Sequence, residues 1–253
     1  MSKAKTFKPG DIFESRSHGF FKVLERTPGN ALVQFVSTGY ITTVSKGAVR
    51  SGIIKDRLLP TIYGVGFYGD GSFTNTLDKT TTAKALETWH TMFKRCYSEF
   101  VHTNHQPYTD CFVSEYWCNF QNFAKFYVED PYRLAGWELD KDLLVKSNKE
   151  YGPNTCVFLP RDINGYLKTN AKRRGKYPIG VRLHSSGNLF EALCRDNSGQ
   201  QINLGKFSSG EAAFEAYKTF KQNVLKEKAN FWKNKIHPLA YNALMEYEVH
   251  IED

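Results

Sequence analysis

No stretch of this 253-residue chain approaches the ~18 consecutive apolar residues that a membrane span needs. Its first residues, MSKAKTFKPGD, lack the apolar core of a secretion signal, so a cytoplasmic location and no membrane partner are expected. Cysteine is scarce and odd in number: five residues, at 96, 111, 118, 156 and 194, with no C-x-x-C pair. That suits reduced thiols better than a disulfide framework. His102 and His105 lie among Cys96, Cys111 and Cys118, but the spacings match no zinc finger or ribbon. What the chain does have is apolar and aromatic content, 41% and 15%, enough for two or three small domains with their own cores. It also has a net charge of +8, unevenly placed, with +6 of it within residues 1–63. Such a balance favours a polyanionic partner.

Three regions are expected. Residues 1–62 read as a small all-β domain, barrel-like in the SH3 sense. FFKVLER and ALVQFVS alternate with period two, PGN separates them as a turn, and TGYITTVS supplies a further strand. Phe20, Phe21, Phe35 and Tyr40 are assigned there to core and rim. Residues 63–170 open with YGVGFYGDG, a G-x-G-x-x-G match. No helix follows it to meet a phosphate, so the glycines are read as a connector. From Thr82, Ala85, Leu86, Trp89, Met92 and Phe93 repeat at helical spacing, and Trp117, Phe120, Phe123, Ala124 and Tyr127 predict a second helix.

Residues 137–164, WELDKDLLVKSNKEYGPNTCVFLPRDIN, predict a hairpin and a helix. Leu139 and Leu143 flank a strand carrying Asp140, Lys141 and Asp142; a turn at Ser147–Pro153 leads to a strand at Cys156–Leu159. A helix then starts near Asp162 with Asn164 in its first turn. This order can bring Asp140 and Asn164 together as an oxygen-rich seat for Mg²⁺ or Mn²⁺.

Residues 171–253 begin with the densest basic cluster, containing Lys172, Arg173 and Arg174, expected to track a phosphate backbone. Three strands follow. Val181 and Leu183 oppose Arg182 and His184; Phe190, Ala192 and Cys194 oppose Glu191, Leu193 and Arg195; Ile202 and Leu204 oppose Gln201 and Asn203. Ser208 or Ser209 caps a helix with Glu211 in its first turn and Ala212, Ala213, Ala216, Tyr217 and Phe220 as its apolar stripe. The last segment, KEKANFWKNKIHPLAYNALMEYEVHIED, prolongs that helix and adds another.

The pattern GVR, then FEALCRD, LGKF and EAAFEAYK resembles an AP2/ERF-type DNA-binding domain over about 45 residues. The resemblance implies a three-stranded sheet lying in the major groove of double-stranded DNA. Arg182, His184, Arg195, Gln201 and Asn203 would then form the readout face. The family's two sheet tryptophans are Phe190 and Asn203 here, so no base specificity carries over.

The hairpin and helix resemble the ββα-metal core of HNH endonucleases of the phage-borne homing type, joined to that reader. The resemblance implies Asp140 and Asn164 as metal ligands. Lys141 stands where the family has its general-base histidine, and Thr155, or Asn154 one position earlier, stands at the central asparagine position. A lysine titrating near ~10.4 is protonated at neutral pH and makes a poor base. Its implied role is to grip the scissile phosphate.

The expected fold class is therefore α+β, with a β-barrel-like N-terminal domain, an HNH-like middle and a sheet-plus-helix reader. Three functions fit: a DNA-binding protein with a weakened nuclease core, an active Mg²⁺- or Mn²⁺-dependent nicking enzyme, or a phage factor that engages a host protein through its basic N-terminal domain in the host cytoplasm.

Overall fold

The computed structural model describes residues 6–74, 79–104, 108–168 and 176–251. The class is mixed α+β with several small sheets. Among the described residues no helix is long and apolar enough to cross a membrane. The chain divides into two compact units, Met1–Glu129 and Asp130–Asp253.

The first unit opens with strands β1 (Ile12–Ser15), β2 (Gly19–Arg26), β3 (Asn30–Phe35) and β4 (Ile41–Ser45), then a short helix α1 (Lys46–Ser51). The strands form an antiparallel meander in sequence order. Here the barrel-like expectation is corrected: β1 and β4 are both edges, and closure requires the first and last strands to pair. Instead the apolar face, with Phe21, Val23, Ala31, Val33 and Phe35, is covered by Phe7, Val49 of α1 and Ile54. Phe21, Phe35 and Tyr40 are buried there, whereas Phe20 is 54% exposed on the opposite face.

Helices α2 (Lys79–Tyr97) and α3 (Glu99–Asn104), a strand pair of residues β5 (Phe112–Val113), and helices α4 (Glu115–Cys118) and α5 (Phe120–Glu129) complete this unit. The helix predicted over Trp117–Tyr127 is broken at Asn119, whose backbone is extended. Phe67 bridges to Asn119 in parallel, donating its N–H to Cys118 and accepting from Phe120, so the chain spends one residue as strand between two helices. The glycine connector runs along these helices: a Cβ on Gly66 would sit 2.8 Å from the Phe93 ring. Trp89, fully buried, donates its indole N–H to the Trp117 carbonyl at 2.8 Å.

The second unit holds strands β6 (Glu138–Asp140), β7 (Glu150–Tyr151) and β8 (Val157–Leu159), helix α6 (Arg161–Leu167), strands β9 (Val181–Leu183), β10 (Phe190–Arg195) and β11 (Gln201–Phe207), and helices α7 (Gly210–Trp232) and α8 (Pro238–Met245). Leu143, Val157, Leu159 and Ile163 share one core with Leu225, Ala229, Ile236, Ala240 and Leu244. The hairpin therefore packs with the C-terminal helices. Ser209 is the cap of α7, accepting from the Ala212 N–H at 3.1 Å. Its buried stripe runs through Ala213, Phe214, Tyr217, Val224 and Leu225, with Ala212 left exposed.

Candidate nucleic-acid interface

β9, β10 and β11 form an antiparallel sheet in the order β11-β10-β9. Val181, Ala192, Cys194, Ala213, Phe214 and Tyr217 make the core between its inner face and α7. The register pairs Ala192 with Gly205 and Leu193 with Asn203, so Leu204 is the extra residue of a bulge. The bulge inverts the alternation. Ile202 faces inward before it and Phe207 after it, while Lys206 turns out to solvent. Unbroken period two would have pointed Lys206 into the core.

All five sheet residues singled out from the sequence share the outer face, and they form two groups. Arg195 pairs across strands with Gln201, both exposed. Arg182, His184 and Asn203 instead converge on Glu191, whose side chain is only 8% exposed. Arg182 Nε donates to Glu191 Oε2 at 2.8 Å and Asn203 Nδ2 donates to Oε1 at 3.2 Å, with His184 Nε2 at 3.8 Å from the same oxygen. The Arg182 hydrogen bond lowers the Glu191 pKa most; burial opposes it, and Arg182 charge, Asn203 and His184 add to the lowering. Arg182 itself stays 61% exposed, held at Nε with the rest of its fork outward. Alternation alone puts Glu191 on this face, but only the contacts reveal it as the hub that orients an arginine. Lys172, Arg173 and Arg174 lie outside the described residues.

The sheet is anchored from behind by α6. Tyr166 donates its hydroxyl to the Arg195 carbonyl at 2.8 Å, and burial pushes the pKa of that hydroxyl far up. Lys228 of α7 bonds Asp162 at 3.2 Å and the Asn197 carbonyl at 3.4 Å, with its ammonium near the Tyr166 ring. The β10–β11 turn is closed by Asp196, which accepts from Ser198 and Gln200. These bonds hold Arg195 and Gln201 on a fixed backbone.

The hairpin site is arranged differently from the expectation. β6 pairs with β8, Glu138 opposite Leu159 and Asp140 opposite Val157, so Lys141 and Asp142 lie beyond the strand. Asp140 Oδ1 accepts the N–H groups of Asp142 and Leu143 at 3.0 and 2.8 Å, a turn-closing role. Burial, its largest influence, raises its pKa, and neighbouring Asp142 adds to this. Asn164 points its amide at Glu138 instead, at 2.6 Å. Glu138 also meets Lys168 at 3.2 Å and Arg161 at 3.4 Å. Burial raises the Glu138 pKa, but the bonds from Lys168 and Asn164 and the nearby positive charges outweigh it and leave it lowered.

Lys141 is 5% exposed; its ammonium bonds Asp142 and the Asn148 carbonyl, the latter at 2.8 Å, and lies over the Tyr151 ring. Asn148 answers by donating to the Lys141 carbonyl at 2.7 Å. Thr155 closes the Glu150–Thr155 turn through the Glu150 and Gly152 carbonyls. Replacing Lys141 by alanine removes the donor to the Asn148 carbonyl from a buried position. We expect a loss of about 1–3 kcal/mol in urea unfolding, and an unchanged midpoint would show that Lys141 does not brace this loop.

In this arrangement Asp140 closes a turn through Oδ1, and Asn164 donates its amide N–H to a carboxylate flanked by Lys168 and Arg161. Among the described residues no three His, Cys, Asp or Glu side chains gather as a metal site. Cys96, Cys111 and Cys118 are buried thiols, and His102 bonds the Arg95 carbonyl. No family model, curated protein or solved structure matches the chain.

Proposed function

We propose that this chain binds double-stranded DNA through the outer face of β9–β11, and that its endonuclease-like hairpin and helix brace that face rather than cut. One observation carries the reading: Arg182 and Arg195 stand exposed on a single rigid sheet face, one oriented by a carboxylate and the other on a backbone pinned by Tyr166. A sheet of this size fits the major groove, where arginine forks read guanine edges and lysine and asparagine reach phosphates or bases. Lys206, turned outward by the bulge, adds a phosphate contact at the rim.

Bracing in place of cutting follows from three commitments: Asp140 to its turn, Asn164 to Glu138, and Lys141 to the loop carbonyl of Asn148. Lys141, which stands at the general-base position, instead spends its ammonium on Asp142 and the Asn148 carbonyl. Incubation with supercoiled plasmid and Mg²⁺ or Mn²⁺ is expected to leave the plasmid supercoiled. Metal-dependent nicking that disappears in Asp140→Ala and Asn164→Ala would overturn the bracing role. Duplex binding, followed by gel shift over a salt series, is expected to weaken steeply as salt rises. Absent or salt-insensitive binding would sink the DNA reading itself.

A further inference from the structure

A second cationic surface lies in the N-terminal unit, away from the sheet described above in sequence and built by its own local geometry. Register shifts between Val23 and Glu25 of β2, which leaves Leu24 as the extra residue of a bulge. Glu25 then pairs opposite Leu32, while Arg26 pairs opposite the fully buried Ala31. Adjacent strand residues alternate, so Glu25 and Arg26 lie on opposite faces, and the bulge decides that Arg26 takes the face of Ala31. Arg26 is held in place there: Nη1 donates to the Phe7 carbonyl at 3.3 Å, and the guanidinium lies 5.5 Å from the Phe7 ring centre.

α1 brings two more cations to the same rim. Lys46 donates its ammonium to the Pro28 carbonyl in the β2–β3 turn at 2.6 Å, which leaves two N–H donors for another acceptor. Arg50 is exposed one helical turn further on, the spacing at which side chains share a face. The first turn of α1 carries no acidic residue. Burial lowers the Lys46 pKa most, and the charged groups that act on it, Arg26 and Arg50, are both cations that lower it further.

We propose that Arg26, Lys46 and Arg50 form a second anion-binding surface that takes the phosphate backbone of duplex DNA. Its surroundings favour phosphates over a protein partner. Thr27, Pro28, Gly29, Asn30 and Ser45 are exposed, small or polar, and suit a wet contact. Of the exposed apolar side chains, Phe20 and Val36 lie on the opposite face of the sheet. The surface also gives a place to the +6 charge of residues 1–63, which the C-terminal sheet leaves unused.

The test uses the full chain and a ~20-base-pair duplex of mixed sequence, read by fluorescence anisotropy across a potassium chloride series. Lys46→Gln/Arg50→Gln is expected to reduce the slope of log Kd against log salt by about 1–2 and to weaken binding about tenfold, equally on unrelated sequences. Lys46→Arg/Arg50→Lys keeps the charges and is expected to bind as the parent does, which separates lost charge from a damaged fold. A parental slope and affinity in the Gln pair, with an unchanged thermal midpoint, overturn the proposal. Failure of the sheet reading looks different: Arg182→Ala/Arg195→Ala would then leave DNA affinity unchanged while the Gln pair still lowered it.

Discussion

Double substitution of Arg182 and Arg195 by alanine is expected to weaken duplex DNA binding by on the order of 10²-fold, at about 1–3 kcal/mol for each arginine that reads a base edge. The loss should fall mainly on preferred sequences and flatten the difference between them and random duplex. Glu191 makes the experiment sharper. Its carboxylate holds Arg182 by Nε while adding a negative charge to the proposed DNA-binding face. Glu191→Gln removes that charge and loosens the arginine, so affinity for any duplex should rise as discrimination falls. If the arginine pair binds DNA as tightly as the parent, with an intact fold by circular dichroism, the outer face of β9–β11 is not the interface. If Glu191→Gln discriminates as well as the parent, Glu191 does not orient Arg182.

The largest effect on stability is expected at Gly180. Its φ of +76° lies where L side chains are strained, and its carbonyl accepts the Leu193 N–H at 2.7 Å, tying the entry of β9 to β10. A Cβ there would stand 2.1 Å from the ring of Tyr217, a core residue of α7 only 6% exposed. Gly180→Ala combines a left-handed backbone penalty of about 1–2 kcal/mol with overpacking of about 1–3 kcal/mol, so a loss of roughly 2–5 kcal/mol is expected in urea unfolding. Gly187 provides the control. It has nearly the same backbone, φ +80°, but nothing within 4 Å of a built Cβ. Gly187→Ala should lose only the backbone part. Equal losses at the two positions would mean that the close approach of sheet and helix contributes nothing.

Legibility in the sequence followed the range of the interaction. Period-two alternation in Val181–Leu183 and Phe190–Arg195 placed Arg182, Glu191 and Arg195 on one face, because a strand sends neighbouring side chains to opposite sides whatever packs against it. Ser209 and Glu211 marked the start of α7 for a similarly local reason, since a cap satisfies an N–H only three residues on. Leu139, Leu143, the turn and Pro160 likewise gave the order of hairpin and helix. Alternation broke where a single extra residue entered a strand, at Leu24 and Leu204, because a bulge is decided by how the partner strand and the core fit. The helix across Asn119 broke for a related reason, a bridge from Phe67 more than fifty residues earlier.

By itself, then, the sequence determined the classes of element, their order, the two-faced C-terminal sheet and a charge balance suited to a polyanion. Only the tertiary structure decided which polar groups remain available on those faces. Asn164 reaches Glu138 rather than Asp140, Lys141 turns into its own loop, and Glu191 gathers Arg182, Asn203 and His184. Spacing brings such groups within reach of several partners, and a hydrogen bond selects one by differences of an ångström or less. Those differences are fixed by register and packing across distant segments, so the chemistry of a polar cluster is settled last, after the fold that carries it.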